Sequence, residues 1–313
     1  MAEVLGYILT LDAIITWAAA SLVYKFALGK TQPKAGLYFR ILMVTCSTFV
    51  LSLIFGNYEF FFVLGSQDVI FYIIVCAISG ISVLVGDLFY FMSLDRIDAS
   101  RAYPLTQLSL VFVYPFSFLF FGEEITISIV LGGILILSSV FLLSTKDKVD
   151  EEIDAETTMN PEKSKETLLI GILMAIGTAF FWAISIVSFN QARIISNDVF
   201  TTNFVRVLIG TMFFSVIALF KRDYFAAFKK DQKKQMKYYL YIGIAGALSL
   251  GLADTLFYMA ADINGLVLTA TITASTPMVQ QILSIVILKE KVRIRFIIAV
   301  ILIILGNLII IFF

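Results

Sequence analysis

The chain has 313 residues, of which 60% are hydrophobic and 15% are charged, and its 23 basic residues balance its 23 acidic residues. Apolar stretches of about twenty residues recur from end to end, each long enough to cross a hydrocarbon core roughly 30 Å thick, which indicates a multi-pass membrane protein. The balanced charge suggests no nucleic-acid partner, and the absence of histidine excludes a histidine-based metal or catalytic site. Cys46 and Cys76 fit packing positions in apolar runs, so we expect no metal and no cofactor.

Hydrophobic patterning predicts ten transmembrane helices in chain order. They are placed at 4–28, 37–55, 69–94, 100–121, 126–145, 168–192, 199–220, 238–260, 266–288 and 294–313. The connection at 146–167 is rich in acidic residues and poor in apolar ones, so we interpret it as a flexible, solvated linker. The linker divides the chain into a first five-helix repeat, residues 1–145, and a second, residues 168–313.

Lysine and arginine are distributed unevenly over the connections. Of the 23 basic residues, 19 lie in or beside the loops after the odd-numbered predicted helices, and only Arg193 lies in a loop on the other side. Because basic loops stay on the cytoplasmic side, this asymmetry predicts that the odd-numbered loops and the acidic linker are cytoplasmic. Both termini are then predicted to lie outside a plasma or inner membrane.

The two halves share a sequence pattern. With five helices each, the second half must enter the membrane in the opposite orientation, so the halves are predicted to be inverted repeats. Three sets of matches keep nearly constant offsets: Trp17-Ala18 with Trp182-Ala183 at 165, Arg40 with Arg206 at 166, and Ser82, Asp87, Met92, Asp95, Thr106 and Glu123 with Ser249, Asp254, Met259, Asp262, Thr273 and Glu290 at 167. The predicted fold class is an all-α membrane protein of ten transmembrane helices in two inverted repeats.

Asp87 and Asp254 are the most informative of these matches. An ionised carboxylate at the centre of a membrane helix costs about 2.5–3.5 kcal/mol on insertion scales, so such residues are rare and face a cavity or a partner. Helical spacing places aromatic residues on the same faces, namely Tyr90 and Phe91 beside Asp87, and Phe257 and Tyr258 beside Asp254. These aromatic residues are therefore candidates for the wall of a binding cavity.

Two interpretations of the paired acids remain open. In the first, the carboxylates bind a substrate ammonium group or carry a coupling proton. In the second, they form structural ion pairs with one of four basic residues: Lys25, Arg40, Arg206 or Arg101. Because Arg96 and Arg101 follow Asp87 while no basic residue follows Asp254 until Lys289, Asp254 is predicted to be the proton carrier and Asp87 a fixed charge for substrate.

Four aromatic and basic residues and a further acid within the predicted helices extend the candidate site. Arg40 and Arg206 suit a substrate carboxylate, since guanidinium binds carboxylate bidentately, although Arg40 can also extend to the interface. Trp17 and Trp182 lie in the middle third of their helices, which favours a cavity over an interfacial belt. Asp12, a turn and a half before Trp17, is a further coupling candidate without a counterpart in the second half.

The order of these features, seen twice, resembles the EamA type of the drug/metabolite transporter superfamily. The shared features are a Trp-Ala pair in the first helix, an arginine in the second, small and aromatic residues in the third, Gly122-Glu123 or Lys289-Glu290 after the fourth, and a glycine in the last. The runs at 86–90 and 98–104 are similar to those of members that carry an Asp in the third helix. The resemblance implies two inverted bundles around a central cavity and alternating-access transport of small metabolites.

The expected function is secondary active transport rather than catalysis, because the sequence lacks Walker A, HExxH and GxSxG motifs and has only short soluble segments. We predict alternating-access transport of small polar or amphipathic metabolites, in particular export of amino acids or related compounds, driven by a proton or other ion gradient through Asp87 or Asp254. The expected partners are a small-molecule substrate, that gradient and membrane lipid. An uptake carrier for a cationic solute such as choline or a polyamine is the main alternative. A channel and an intramembrane aspartyl protease are the others.

Overall fold

The computed structural model describes residues 2–97, 99–144, 161–229, 234–288 and 294–312, which form helices and turns without a β-strand. The first half contains α1 (Ala2–Leu28), α2 (Pro33–Phe55), α3 (Phe60–Val63), α4 (Ser66–Leu94), α5 (Ala99–Thr106), α6 (Ser109–Phe121) and α7 (Ile127–Ser144). The second half contains α8 (Pro161–Ser196), α9 (Val199–Phe220), α10 (Met236–Gly246), α11 (Asp254–Asn264), α12 (Leu266–Thr273), α13 (Thr276–Leu288) and α14 (Ile294–Phe312). A 3₁₀-helix (Arg222–Phe228) precedes α10, and a π-helical turn (Ala247–Ala253) joins α10 to α11.

The predicted ten-helix fold is confirmed in the described part of the chain. Nine helical segments there are long and apolar enough to cross a membrane, and the shorter apolar segment Ile127–Leu142 supplies the tenth. Large apolar side chains such as Leu53 and Leu219 are exposed on the outer surface. Lipid is the solvent that such faces require, since backbone polar groups are satisfied within each helix.

The helix that opens the second half starts earlier than its sequence pattern suggests. α8 begins at Pro161, ahead of the predicted start at residue 168. Proline suits the first turn of a helix because its missing amide hydrogen has no intrahelical acceptor at that position. Residues 146–160 of the predicted linker lie outside the described residues.

Two predicted helices are interrupted at matching positions. The fourth breaks at residues 107–108, between α5 and α6, and the ninth at residues 274–275, between α12 and α13. In both breaks a backbone amide donates to the carbonyl three residues before it, as in a 3₁₀-helix, rather than four. These hydrogen bonds join the amide of Leu108 to the carbonyl of Leu105 at 3.2 Å, and the amide of Ser275 to the carbonyl of Ile272 at 3.0 Å. The two breaks are 167 residues apart, as Asp87 and Asp254 are, so they belong to the repeat pattern.

A proline accounts for part of the second break. Pro277 has no amide hydrogen for the carbonyl of Thr273, four residues before it. The hydroxyl of Thr276 donates to that carbonyl instead, at 2.5 Å. The side chain thus satisfies a backbone group that the interrupted helix leaves free.

The two halves interlock along several helix pairs. α4 packs along α8, α7 packs along α14, and α9 contacts both α2 and α4. Glycine permits the closest of these crossings, since a Cβ atom on Gly210 in α9 would lie 2.7 Å from the carbonyl oxygen of Gly80 in α4. The helices that carry the candidate residues are therefore held together at the centre of the molecule.

Candidate functional site

A cavity of about 120 Å³ lies between the two halves and is lined by side chains from both. Its volume suits a small solute rather than a macromolecule. Nine of the residues predicted from the sequence line it: Trp17, Arg40, Asp87, Tyr90, Trp182, Arg206, Asp254, Phe257 and Tyr258. Residues of both helix breaks line it as well, among them Gln107 and Ala274.

In the cavity lining, Asp87 of α4 accepts hydrogen bonds from two helices. The guanidinium of Arg40 in α2, which belongs to the same half, donates Nη1 to Asp87 Oδ2. The indole of Trp182 in α8, which belongs to the other half, donates Nε1 to Asp87 Oδ1 at 3.2 Å. Arg40 also donates Nε to the hydroxyl of Tyr24 at 2.9 Å. Arg40 and Asp87 are both buried, which is consistent with a strong, desolvated pair.

Asp254, which also lines the cavity, repeats this arrangement, with its arginine from the second half and its tryptophan from the first. Arg206 in α9 donates Nη2 to Asp254 Oδ2 at 2.5 Å. Trp17 in α1 donates Nε1 to Asp254 Oδ1 at 3.1 Å and to the carbonyl of Ser249 at 3.3 Å. Each carboxylate therefore accepts from an arginine of its own half and from a tryptophan of the other half.

The geometry answers part of the question about the role of the two acids. Ion pairs are present, with Arg40 and Arg206 as the partners of Asp87 and Asp254. Lys25 has another contact, because its ammonium group donates to the carbonyls of Leu94 and Ile97 at the end of α4. The pairs leave the four charged groups of the cavity with no net formal charge.

The prediction that Asp254 differs from Asp87 by lacking a basic neighbour does not hold in space. Arg206 lies 2.5 Å from Asp254 although it precedes it by a whole helix in the sequence. Arg96, one of the two basic neighbours assigned to Asp87, donates instead to the carbonyl of Met92, and the side chain of the other, Arg101, lies outside the described residues. Sequence proximity was the wrong measure, because helix packing sets which cation meets which carboxylate.

Aromatic rings form the walls beside both acids. Tyr90 packs against Trp182 with ring centroids 5.5 Å apart, and Phe257 packs against Trp17 at 5.6 Å. The hydroxyl of Tyr90 is buried without a hydrogen-bond partner in the described part of the chain. The cavity thus presents aromatic faces together with one polar group that a solute could engage.

Tyr258 also belongs to the cavity wall, and it stacks on Phe189 with ring centroids 3.7 Å apart. The guanidinium of Arg206 lies 4.3 Å from the centroid of the same Phe189 ring. Such a position adds a cation–π contact to the ion pair.

Two predicted site residues do not line the cavity. Phe91 is fully buried and packs against Tyr24, with ring centroids 5.2 Å apart. Asp12 lies at an exposed position on α1. Five residues at about 100° each place Asp12 roughly 140° around the helix from Trp17, so it is directed away from the cavity side.

Several residues of the site escaped the sequence analysis. Tyr24 contacts Arg40 and also shares a hydrogen bond of 2.6 Å with the hydroxyl of Ser249. Its position seven residues after Trp17, two turns along the same helix face, is a signal that could have identified it. Asn203 donates to the backbone before Asp254 and accepts from Arg206, and its position three residues before Arg206 is a similar signal.

Glu123 links the end of α6 to the start of α12 in the other half. Its carboxylate oxygens accept the backbone amides of Leu266 at 3.1 Å and Val267 at 2.9 Å. These amides belong to the first turn of α12, where no intrahelical acceptor exists, and a negative charge is favourable there. Glu290, the counterpart of Glu123, lies outside the described residues.

Comparisons with known proteins agree with this architecture. A protein of Archaeoglobus fulgidus described as an uncharacterized transporter is 24% identical over 306 residues, covering 97% of this chain and 97% of that protein. A crystal structure of another protein covers 98% of this chain and 95% of its own chain, with a TM-score of 0.69 and 17% sequence identity. Residues 4–145 and 169–312 both match the EamA-like transporter family. The chain therefore belongs to the EamA-like transporter family and is a multi-pass membrane transporter.

Proposed function

We propose that this transporter is a secondary carrier that moves small polar or amphipathic metabolites by alternating access through the central cavity. The observation that carries the proposal is the crossed arrangement at the two acids. Asp87 and Asp254 each bind an arginine of their own half and a tryptophan of the other half. If one half rocks against the other, these tryptophan contacts lie at the interface between the halves, where the cavity must open and close.

An amphipathic solute with both charges fits the cavity better than a simple cation does. The cavity offers two carboxylates and two guanidinium groups, with aromatic rings between them. A solute carboxylate can replace an aspartate on an arginine, while a solute ammonium group binds the released aspartate. Amino acids and related compounds have this chemistry. A cation such as choline would need an unpaired carboxylate, whereas both of these carboxylates are already paired with arginine.

Proton coupling would act through the same pairs. Protonation of an aspartate removes its charge and weakens its hold on the arginine, which frees the guanidinium for a solute carboxylate. Both oxygens of Asp87 and of Asp254 accept from arginine and tryptophan donors. That arrangement favours a transport role over an aspartyl protease, in which the two acids would share a proton.

The proposed orientation follows from the charge distribution. With 19 of the 23 basic residues on one side, both termini lie outside and residues 146–167 are a cytoplasmic linker between repeats 1–145 and 168–313, in a plasma or inner membrane. The alternation of five helices in each half supports the same division.

The test begins with the purified protein and a metabolite library, screened by thermal shift at two pH values. A solute that binds the folded state raises the melting temperature by mass action. Solutes that do so are then loaded into proteoliposomes, and transport is measured with and without a pH gradient between pH 5 and pH 8. We expect at least one zwitterionic solute to bind and to be transported faster with the gradient.

Variants of the two Arg–Asp pairs then test whether these residues couple the proton gradient to solute transport. Arg206→Gln with Asp254→Asn, and Arg40→Gln with Asp87→Asn, remove each pair without leaving an arginine charge buried alone. Asp68→Asn, at an exposed position on α4, is the matched control. We expect both pair variants to fold and to lose gradient-driven transport, while the control retains it. Normal gradient-driven transport by both pair variants would overturn the proposed coupling role.

A further inference from the structure

The backbone before Asp254 departs from α-helical geometry. In an α-helix the amide of Asp254 would donate to the carbonyl of Leu250, four residues before it. In the π-helical turn Ala247–Ala253, that amide donates instead to the carbonyl of Ser249, five residues before it. The corresponding helix of the first half, α4, runs without interruption through Asp87. The backbones that carry the two acids of the cavity therefore differ.

Asn203 of α9 occupies the place that the missing backbone bond leaves. Its side-chain Nδ2 donates to the carbonyls of Leu250 at 3.1 Å and Gly251 at 3.0 Å, and to the hydroxyl of Thr255 at 3.0 Å. Its Oδ1 accepts from Arg206 Nε at 2.9 Å. Asn203 is 1% exposed, so it has no access to bulk solvent.

The first half has no equivalent of this side chain. At the offset of 166 residues that relates Arg40 to Arg206, the counterpart of Asn203 is Leu37, which is buried and has no side-chain donor. In an uninterrupted α-helix each interior carbonyl already accepts a backbone amide, so none depends on a side-chain donor. Among the described residues, the asparagine at this position and the π-helical turn therefore occur together in the second half.

We propose that Asn203 is a positioning residue that holds the backbone before Asp254 in its five-residue register and thereby sets the contacts of that carboxylate with Arg206 and Trp17. A free carbonyl within the membrane is unfavourable, so without the amide donor the turn returns toward α-helical pairing. That change moves the carbonyl of Ser249, which Trp17 Nε1 contacts together with Asp254. A change in the backbone hydrogen-bond register therefore changes the surroundings of the Trp17 indole directly.

The proposal gives the two acids of the cavity different backbone supports. The backbone before Asp254 is a π-helical turn held by a side chain of α9, whereas Asp87 lies on an uninterrupted helix. The inference rests on the proposed function only because it treats Asp254 as a residue that takes part in transport. The test below uses no solute, so its failure is distinguishable from failure of the transport proposal.

Fluorine NMR of protein labelled with 5-fluorotryptophan provides the readout. The chain has only two tryptophans, so Trp17 and Trp182 give two resonances that Trp17→Phe and Trp182→Phe assign. In Asn203→Leu, we expect the Trp17 resonance to shift and the Trp182 resonance to remain within its line width. Thr178→Val is the matched control, because its hydroxyl donates to the carbonyl of Gly86 beside Asp87 at 3.1 Å. This control should leave the Trp17 resonance unchanged.

A second variant guards against a folding defect in Asn203→Leu. Thr255→Val is nearly isosteric and removes one acceptor of Asn203 together with the hydroxyl bond to the carbonyl of Gly251 at 2.7 Å. We expect it to shift the Trp17 resonance in the same direction and by less. The proposal is overturned if the folded variants leave Trp17 unmoved, or if they move both resonances equally, as a general loss of packing would.

Discussion

Arg206 is fully buried, and each part of its guanidinium has a contact. Its nitrogens donate to Asp254 and Asn203, and its plane lies 4.3 Å from the centroid of Phe189. A buried ion pair adds little net stability compared with a well-packed apolar pair, whereas removing one partner strands a charge. The pair is therefore expected to add little net stability, which agrees with the transport role proposed for it.

This reasoning predicts the outcome of a double-mutant cycle at Arg206 and Asp254. Asp254→Asn alone leaves Arg206 buried without its counter-charge and should lower the free energy of unfolding by about 3–5 kcal/mol. The double variant Arg206→Gln with Asp254→Asn should recover most of that loss. Thermal unfolding in detergent measures both.

The exposed pair of Lys34 and Asp223 supplies the control for this cycle. Its side chains are 42% and 69% exposed, so Asp223→Asn should change the free energy of unfolding by about 0–1 kcal/mol. A double variant at Arg206 and Asp254 that is no more stable than Asp254→Asn would contradict the account of the buried pair.

The residues of the site were predictable where repetition marked them. Asp87, Asp254 and the two tryptophans stand out because each has a counterpart at a fixed offset. Phe91 shares a helix face with Asp87, yet it packs under Tyr24 outside the cavity lining. Which neighbour covers a side chain is a matter of tertiary packing, and helical spacing alone does not determine it.

At the scale of elements, the helix breaks and the π-helical turn modify an otherwise regular bundle. Apolar patterning continues through residues 107–108 and 274–275, so the fourth and ninth helices were each predicted as a single segment, with Pro115 and Pro277 inside them as candidate sites of a kink. The breaks depend on local hydrogen bonding, such as the bond from the Thr276 hydroxyl to the carbonyl of Thr273. Discontinuous helices at a central cavity are typical of transporters, because freed backbone groups can face a solute.

The glycine crossing between α4 and α9 leads to a second prediction. A methyl group in Gly210→Ala would lie 2.7 Å from the carbonyl oxygen of Gly80 and 2.8 Å from a methyl carbon of Leu84. Overpacking of this kind typically costs about 1–3 kcal/mol. We therefore expect a lower melting temperature in detergent.

The matched control for this crossing is Gly29→Ala, whose added methyl group would lie 3.7 Å from its nearest neighbour, the carbonyl oxygen of Phe26. That variant should melt close to the wild-type protein. If the melting temperature of Gly210→Ala is no lower than that of Gly29→Ala, the close contact between α4 and α9 does not contribute to stability.

At the scale of the whole molecule, each half donates a tryptophan hydrogen bond to the aspartate of the other half. Trp17 of the first half contacts Asp254, and Trp182 of the second half contacts Asp87. The repeat in the sequence predicted that these residues correspond to each other. It did not predict that each tryptophan contacts the aspartate of the other half. That exchange is a property of the assembled bundle, since neither half contains it alone.

The charge distribution makes a prediction about orientation. Glycosylation or cysteine-accessibility mapping should place Glu152 in the cytoplasm and Phe313 outside, because 19 of the 23 basic residues lie on one side. A cytoplasmic position for Phe313 would show that another constraint outweighs the lysine and arginine bias.

Access to the cavity from both sides of the membrane is the central claim, and thiol labelling in sealed vesicles tests it most directly. With Cys46→Ala and Cys76→Ala as background, Ser21→Cys places a nearly isosteric thiol in the cavity lining, and Phe62→Cys places one on α3, at a position 91% exposed. An impermeant reagent is applied to right-side-out and inside-out vesicles, with and without a transported solute. We expect Phe62→Cys to react from the outside only. Ser21→Cys should react from either face, with the solute changing the two rates in opposite directions, and reaction from a single face under every condition would contradict alternating access.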